Sequence, residues 1–80
     1  MTDAWATVND ALFKKFVFTD FAEAFEFMTR VAVLAERHNH HPDWTNTWNV
    51  VEISLCSHDQ GLNITQRDHD LAHSIDEIIK

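Results

Sequence analysis

Residues 36–44 read Glu36-Arg37-His38-Asn39-His40-His41-Pro42-Asp43-Trp44 and separate a helix-like segment from a strand-like segment. Proline fixes its own φ angle and disfavours helical geometry in the residue before it. We therefore expect the helix to end near Arg37 or His38, with His41 extended and the imidazoles of His40 and His41 pointing in different directions. Such a pair would place two proton carriers at the mouth of a site, although a polar connection without function fits this stretch equally well.

The chain has 80 residues, which is the length of one domain covering residues 1–80. Small domains have modest cores, and disulfides, metals or association often supply additional stability. Cys56 is the single cysteine, so an intramolecular disulfide is excluded. Apolar residues make up 45% of the chain, which is enough for a core and a subunit interface. We therefore expect the chain to associate with copies of itself.

The formal net charge is −7, and Lys14-Lys15 is the only adjacent basic pair. This charge opposes contact with phosphate backbones, so no direct nucleic-acid binding is expected. The sequence contains no 18-residue apolar run that would predict a membrane span, and its N-terminus lacks the pattern of a signal peptide. These features favour a soluble protein in a reducing, cytoplasmic compartment.

The first half of the chain predicts two strands and a long helix. The strands are expected near residues 5–8 and 11–18, with a turn at Asn9-Asp10, and the helix from about Phe21 to Arg37. Two apolar stripes follow this helix: Phe21, Phe25, Met28, Ala32 and Ala35 form one, and Phe27, Val31 and Leu34 form the other. One stripe should pack on the sheet and the other against a neighbouring element or subunit. If the first stripe is the buried one, Phe25→Ala should cost about 3–5 kcal/mol.

The second half predicts one long strand and a last helix. Alternating apolar residues favour a strand over residues 45–57, either central in the sheet or bent, followed by a loop around Gly61. The last helix begins with the capping-box sequence Thr65-Gln66-Arg67-Asp68. The order strand, strand, helix, strand, helix predicts an α+β domain in which helices cover one face of an antiparallel sheet.

Histidines dominate the candidate chemistry. His40 and His41 follow the first helix, and His58 follows the long strand. Three imidazoles without a nucleophilic serine suit proton transfer, and zinc binding is the alternative. Cys56 would act as a nucleophile only with a lowered pKa, and a packed thiol is the simpler interpretation. His69 and His73 are four residues apart, but we expect them to be surface histidines rather than a metal site.

Four segments of the chain together resemble the pterin-4a-carbinolamine dehydratases. The segments are Phe16-x-Phe18-x-Asp20-Phe21-x-x-Ala24-x-x-Phe27-Met28-x-x-Val31-Ala32, Ala35-Glu36-x-x-x-His40-His41-Pro42-Asp43-Trp44, Val51-x-Ile53-x-Leu55-x-Ser57-His58-Asp59 and Ile64-Thr65-x-x-Asp68-x-x-Leu71-Ala72. The resemblance extends from Trp5 nearly to the C-terminus. It implies a four-stranded antiparallel sheet with helices on one face, assembled into homodimers or homotetramers. It also implies a lyase that converts 4a-hydroxytetrahydropterin to quinonoid dihydropterin in tetrahydrobiopterin recycling, without a metal or other cofactor.

The same resemblance assigns residues to the site. His40, His41 and His58 correspond to the catalytic histidines of the family. We expect His40 and His58 to act on the leaving hydroxyl and His41 to orient the ring or accept a proton. The remaining residues expected to contact the pterin substrate are Glu36, Asn39, Pro42, Trp44, Cys56, Ser57, Asp59 and Arg67.

The chain departs from the family pattern at three places, of which a short first hairpin loop is one. Only four residues precede Trp5, so the helix that family members commonly carry before the first strand is expected to be absent. The loop after His58 has Asp59-Gln60-Gly61 where many members have a Gly-Gly pair, which makes the placement of Arg67 less direct. An alternative function is a non-enzymatic interaction module that keeps the fold and binds partners, as animal members do with a homeodomain transcription factor.

Overall fold

The computed structural model describes residues 4–57 and 63–79. The elements are β1 (Ala6–Val8), β2 (Ala11–Val17), α1 (Phe21–His38), β3 (Asp43–Thr47), β4 (Val50–Leu55) and α2 (Gln66–Ile78). The four strands form one antiparallel sheet in the order β1-β2-β4-β3. The predicted α+β class with a four-stranded antiparallel sheet is confirmed. Among the described residues, no helix is both long and apolar enough to cross a membrane.

The first hairpin forms where the sequence predicts it. Asn9 and Asp10 connect β1 to β2 with φ angles of 51° and 62°, and these residue types tolerate the left-handed region better than most. Leu12 and Phe16 of β2 are buried on the face that packs on the helices. Lys14 lies buried on the same face, where its Nζ is 2.8 Å from Asp76 Oδ1 of α2. This ion pair connects the sheet to the second helix.

The predicted long strand over residues 45–57 is wrong, because the chain turns in its middle. Thr47 pairs with Val50, so Trp48 and Asn49 form a two-residue turn between β3 and β4. The side-chain amide of Asn46 donates to the carbonyl oxygens of Trp48 and Val50, at 3.2 and 2.9 Å. The alternation of apolar residues continues across the turn. The turn is therefore not visible in the sequence pattern.

Trp48 adopts an unusual backbone conformation at this turn. Its φ angle is 49° and its side chain is 63% exposed. Left-handed geometry is costly for a bulky residue, by about 1–3 kcal/mol, whereas asparagine adopts it more readily. We therefore expect Trp48→Asn to raise the free energy of unfolding by about 0.5–1 kcal/mol in urea denaturation. The β-branched control Trp48→Val should lower the free energy of unfolding. If the two variants changed this free energy equally, the backbone of Trp48 would not be strained.

Helix α1 buries mainly the second of its two predicted stripes, and Ala35 of the first stripe is buried with it. Ala24, Phe27, Val31 and Ala35 are buried. Phe21 and Phe25 are 48% and 56% exposed, and their rings lie 5.8 Å apart on the outer surface. The expectation that Phe25 packs in the core is therefore wrong. The stripe that contains Phe27 faces the sheet, and Ala24 on the same side of the helix is fully buried.

Helix α2 packs on the core through one apolar stripe. Leu71, Ala72 and Ile75 are buried, and Ile78 and Ile79 pack against the core more loosely. The capping acid Asp68 accepts a hydrogen bond from the backbone N–H of Thr65 at 2.8 Å. Asp68 is fully buried, with no exposed surface. Both helices cover one face of the sheet, and the end of α1 meets the start of α2.

Candidate functional site

The turn after α1 determines where the two adjacent histidines go. The helix ends at His38, as expected, and Asn39 takes the left-handed conformation with φ 50° and ψ 45°. Backbone N–H groups of Asn39 and His40 donate to the carbonyl oxygens of Glu36 and Ala35, at 3.2 and 3.0 Å. A left-handed residue that satisfies the last helical carbonyls is a common helix terminator. Asn39, in addition to Pro42, therefore ends the helix.

His40 points inward and meets a buried carboxylate. The residue is 7% exposed, and its Nε2 atom lies 2.5 Å from Asp68 Oδ1. The other carboxylate oxygen of Asp68 accepts hydrogen bonds from Ser57 Oγ at 3.0 Å and from the Thr65 backbone N–H at 2.8 Å. This cluster joins the end of α1, the segment after β4 and the first turn of α2.

The hydrogen bonds of Asp68 determine its charge. Burial raises the pKa of this carboxyl group, but the hydrogen bonds from His40, Thr65 and Ser57, with the charge of His40, outweigh burial and hold the pKa below its ordinary value. Asp68 is therefore ionised at neutral pH. An ionised carboxylate accepts hydrogen bonds and cannot donate them.

His41 points outward and pairs with a different carboxylate. Its Nε2 atom lies 2.6 Å from Glu36 Oε2, and the two side chains are 60% and 78% exposed. Glu36 occupies the last turn of α1, where a negative charge is mildly unfavourable, and the contact with His41 gives it a partner there. Adjacent histidines therefore have two separate carboxylate partners, one buried and one in solvent.

Arg67 contacts the turn that precedes this pair, and Pro42 and Trp44 follow the pair in the chain. The Nη2 atom of Arg67 donates to the carbonyl oxygen of Asn39 at 2.5 Å, which holds the start of α2 against the turn after α1. Pro42 is half-buried. Trp44 pairs with Ile53 across the sheet and packs in part against the core. Its expected contact with a flat substrate ring stays a prediction.

The segment after β4 places Cys56 and Ser57 beside the buried carboxylate. Burial raises the pKa of the Cys56 thiol, and the negative charges of Asp68 and Asp43 raise it further. The thiol is therefore protonated at neutral pH, and a nucleophilic role is disfavoured. Ser57 is buried and exchanges two backbone hydrogen bonds with Asn63, at 2.8 and 3.2 Å.

Two of the predicted site residues, His58 and Asp59, lie outside the described residues. The structure brings together Glu36, Asn39, His40, His41, Ser57 and Arg67. It adds Asp68, which the sequence assigned only to a capping box. Asp68 caps helix α2 and also contacts His40. Nothing in the local sequence indicates this contact, because His40 is 28 residues away.

No metal-binding cluster is evident in the described part of the chain: no three His, Cys, Asp or Glu side chains are arranged to hold an ion. The contacts that are present pair His40 and His41 with one carboxylate each. Such pairs fix the orientation of a histidine and which ring nitrogen holds the proton, which are the requirements of acid–base chemistry.

Comparison with known proteins matches this chain to one family. The family described as Pterin 4 alpha carbinolamine dehydratase matches residues 1–78. A protein of Rhodopseudomonas palustris (strain HaA2), named "Putative pterin-4-alpha-carbinolamine dehydratase", is 54% identical over 76 residues, covering 92% of this chain and 74% of the relative. One of the same name from Burkholderia pseudomallei (strain 1710b) is 49% identical over 78 residues, covering 95% and 76%.

Two solved structures have a fold similar to that of this chain. A transcriptional coactivator/pterin dehydratase from Brucella melitensis superposes with a TM-score of 0.91 at 34% identity, covering 99% of this chain and 85% of its own. A pterin dehydratase-like protein described as a RuBisCO assembly factor in the alpha-carboxysome superposes with a TM-score of 0.80 at 24% identity, covering 95% and 89%. At that identity the second likeness concerns the fold alone.

Proposed function

Because this chain belongs to the pterin-4a-carbinolamine dehydratase family, we propose that it removes water from 4a-hydroxytetrahydropterin to give quinonoid dihydropterin. One observation carries the proposal beyond family membership: His40 and His41 are neighbours, yet each contacts its own carboxylate. A dehydration of this kind needs two proton transfers at one substrate, and two independently oriented imidazoles can supply them.

The reaction changes bonds at C4a, at its hydroxyl oxygen and at N5. The bond between C4a and the hydroxyl oxygen breaks, and the oxygen leaves as water after receiving a proton. The proton on N5 is lost, and the electron pair of that N–H bond completes the double bond between N5 and C4a. No electrons are gained or lost overall, so the two protons are all that the protein has to move.

We assign the two transfers according to the surroundings of each histidine. His41 and Glu36 are exposed to solvent, so His41 can accept the N5 proton and pass it to water. His40 is held by Asp68 inside the protein, so it acts from a fixed position on the leaving hydroxyl, together with His58. The pterin would lie against these histidines, with Trp44 and Arg67 at the edges of the site.

Family membership also supports a proposal for the wider role of the chain. We propose that the product is reduced again to tetrahydropterin, so that the chain serves the recycling of that cofactor in the cytoplasm. We also propose that the chain works as a homodimer or homotetramer. Exposed Phe21 and Phe25 on the outer surface of α1 support self-association.

Stopped-flow ultraviolet absorbance tests the activity. The decay of freshly formed 4a-hydroxytetrahydropterin is followed with and without catalytic amounts of the purified protein. We expect the protein to accelerate the decay in proportion to its concentration. A folded protein that leaves the spontaneous rate unchanged would contradict the dehydratase function and favour the interaction module.

A further inference from the structure

Asn39 is the left-handed residue between α1 and the histidine pair, with φ 50° and ψ 45°. Residues other than glycine adopt this conformation rarely and at a cost in free energy. We propose that Arg67 is a positioning residue, which keeps Asn39 left-handed and thereby directs His40 inward and His41 outward. The effect on catalysis rests on the proposed function. The effect on the turn is a property of the protein without substrate.

The peptide group that joins Asn39 to His40 has a hydrogen bond on each side. Its N–H, which belongs to His40, donates to the carbonyl oxygen of Ala35 in α1 at 3.0 Å. Its carbonyl oxygen, which belongs to Asn39, accepts from Nη2 of Arg67 in α2 at 2.5 Å. The N–H and C=O of a planar trans peptide point in opposite directions. The plane of this peptide is therefore held by α1 on one side and by α2 on the other.

The orientation of this peptide decides where both histidines point. If Asn39 took the ordinary right-handed helical conformation, α1 would continue and the chain would leave it in another direction. His40 Nε2 would then lose its position 2.5 Å from Asp68 Oδ1. His41 Nε2 would likewise lose its position 2.6 Å from Glu36 Oε2. The two separate carboxylate contacts of the pair thus depend on one left-handed residue.

Arg67 is suited to hold this turn by its charge as well as by its position. The carboxyl end of a helix carries a partial negative charge, which a nearby guanidinium stabilises. Glu36 adds its own negative charge in the last turn of α1. A hydrogen bond from a charged donor is also stronger than one from a neutral donor. Since Arg67 is the second residue of α2 (Gln66–Ile78), the packing of the two helices sets the contact.

Amide hydrogen exchange of His40, followed by NMR without substrate, tests the proposal because this N–H is bonded to Ala35. We expect the protection factor of the His40 amide to fall by about 3–10-fold in Arg67→Gln, since Asn39 leaves the left-handed region more often. The matched control is Arg30→Gln, which makes the same change at an exposed position in the middle of α1 and should keep the wild-type protection. An unchanged protection factor in Arg67→Gln overturns the proposal.

A second substitution distinguishes support of the turn from any other role of Arg67. Glycine adopts the left-handed conformation without steric cost. Adding Asn39→Gly to Arg67→Gln should therefore restore the protection of the His40 amide. If Arg67→Gln does not fold alone, the double variant still decides: a folded protein with a protected His40 amide supports the proposal. A double variant that does not fold, or whose His40 amide stays unprotected, overturns it.

Kinetics measure the consequence for the reaction. Misplaced imidazoles should lower kcat for the dehydration by about 10–100-fold in Arg67→Gln and leave KM nearly unchanged, whereas Arg30→Gln should keep the wild-type rate. A raised KM with unchanged kcat would mean that Arg67 binds the substrate directly, and would overturn the positioning role. If the wild-type protein is inactive but Arg67→Gln still loses the protection of the His40 amide, the proposed function is overturned and the support of the turn stands.

Discussion

Replacing His41 with alanine is expected to lower kcat/KM for the dehydration by about 10²–10⁴-fold, because the imidazole is one of the two proton carriers. The same change should alter the free energy of unfolding by less than about 0.5 kcal/mol. The side chain is 60% exposed, and its contact with Glu36 lies at the protein surface, where such contacts contribute little to stability. Stopped-flow kinetics and urea denaturation of the same sample measure the two effects.

The control for this variant is His69→Ala, which removes an exposed histidine from α2. It should keep the wild-type rate. A His41→Ala protein with a normal rate would contradict the assignment of His41 as a proton carrier. A protein that loses activity and stability together would mean that the loss of function reflects unfolding.

Replacing Phe27 with alanine is expected to cost about 3–5 kcal/mol of folding free energy, a large part of the stability of a domain this small. Phe27 is 3% exposed, and its ring lies 4.8 Å from that of Phe16 and 4.9 Å from that of Phe18. The change would leave a cavity between α1 and the sheet. Thermal or urea unfolding followed by circular dichroism measures the loss.

Phe25→Ala is the matched comparison, since it makes the same change two residues away on the same helix. Phe25 is 56% exposed, so its replacement should cost less than about 1 kcal/mol in the monomer. Equal losses for the two variants would contradict the orientation of α1. A concentration-dependent loss confined to Phe25→Ala would indicate that this phenylalanine lies in a subunit interface.

Local patterns predict much of this fold. Asp20 and Thr65 mark the starts of the helices, and Asn9-Asp10 marks the first hairpin turn, because capping and turn residues act within a few positions of themselves. The orientation of α1 could not be predicted in the same way. Its two apolar stripes are similar in sequence, and the choice between them depends on how the helix packs on the sheet.

The turn at Trp48-Asn49 escapes prediction for a different reason. Two-residue hairpin turns favour Gly, Asn or Asp at positions with positive φ, and a tryptophan there gives no such signal. The turn forms because the side chains of Asn46 and Asn49 hold the carbonyl oxygens of Trp48, Val50 and Phe18. The last of these contacts spans 31 residues and is invisible to any local pattern.

The candidate site also depends on contacts between residues that are far apart in the sequence, which local patterns do not predict. The sequence predicts that His40 and His41 point in different directions, and their separate partners agree with that prediction. It does not reveal that His40 meets Asp68, because that contact needs α1 and α2 to pack as they do. The reactive groups are thus visible in the sequence, whereas the buried carboxylate that orients one of them appears only in the folded protein.

The central claim is that His40 and His41 form one pterin site. Titration of ¹⁵N-histidine-labelled protein with a dihydropterin that cannot lose water tests it directly. We expect the imidazole signals of His40 and His41 to shift together and saturably, while those of His69 and His73 on the exposed side of α2 stay unchanged. If the signals of His40 and His41 do not shift during the titration, the claim that these two histidines form a pterin site is contradicted.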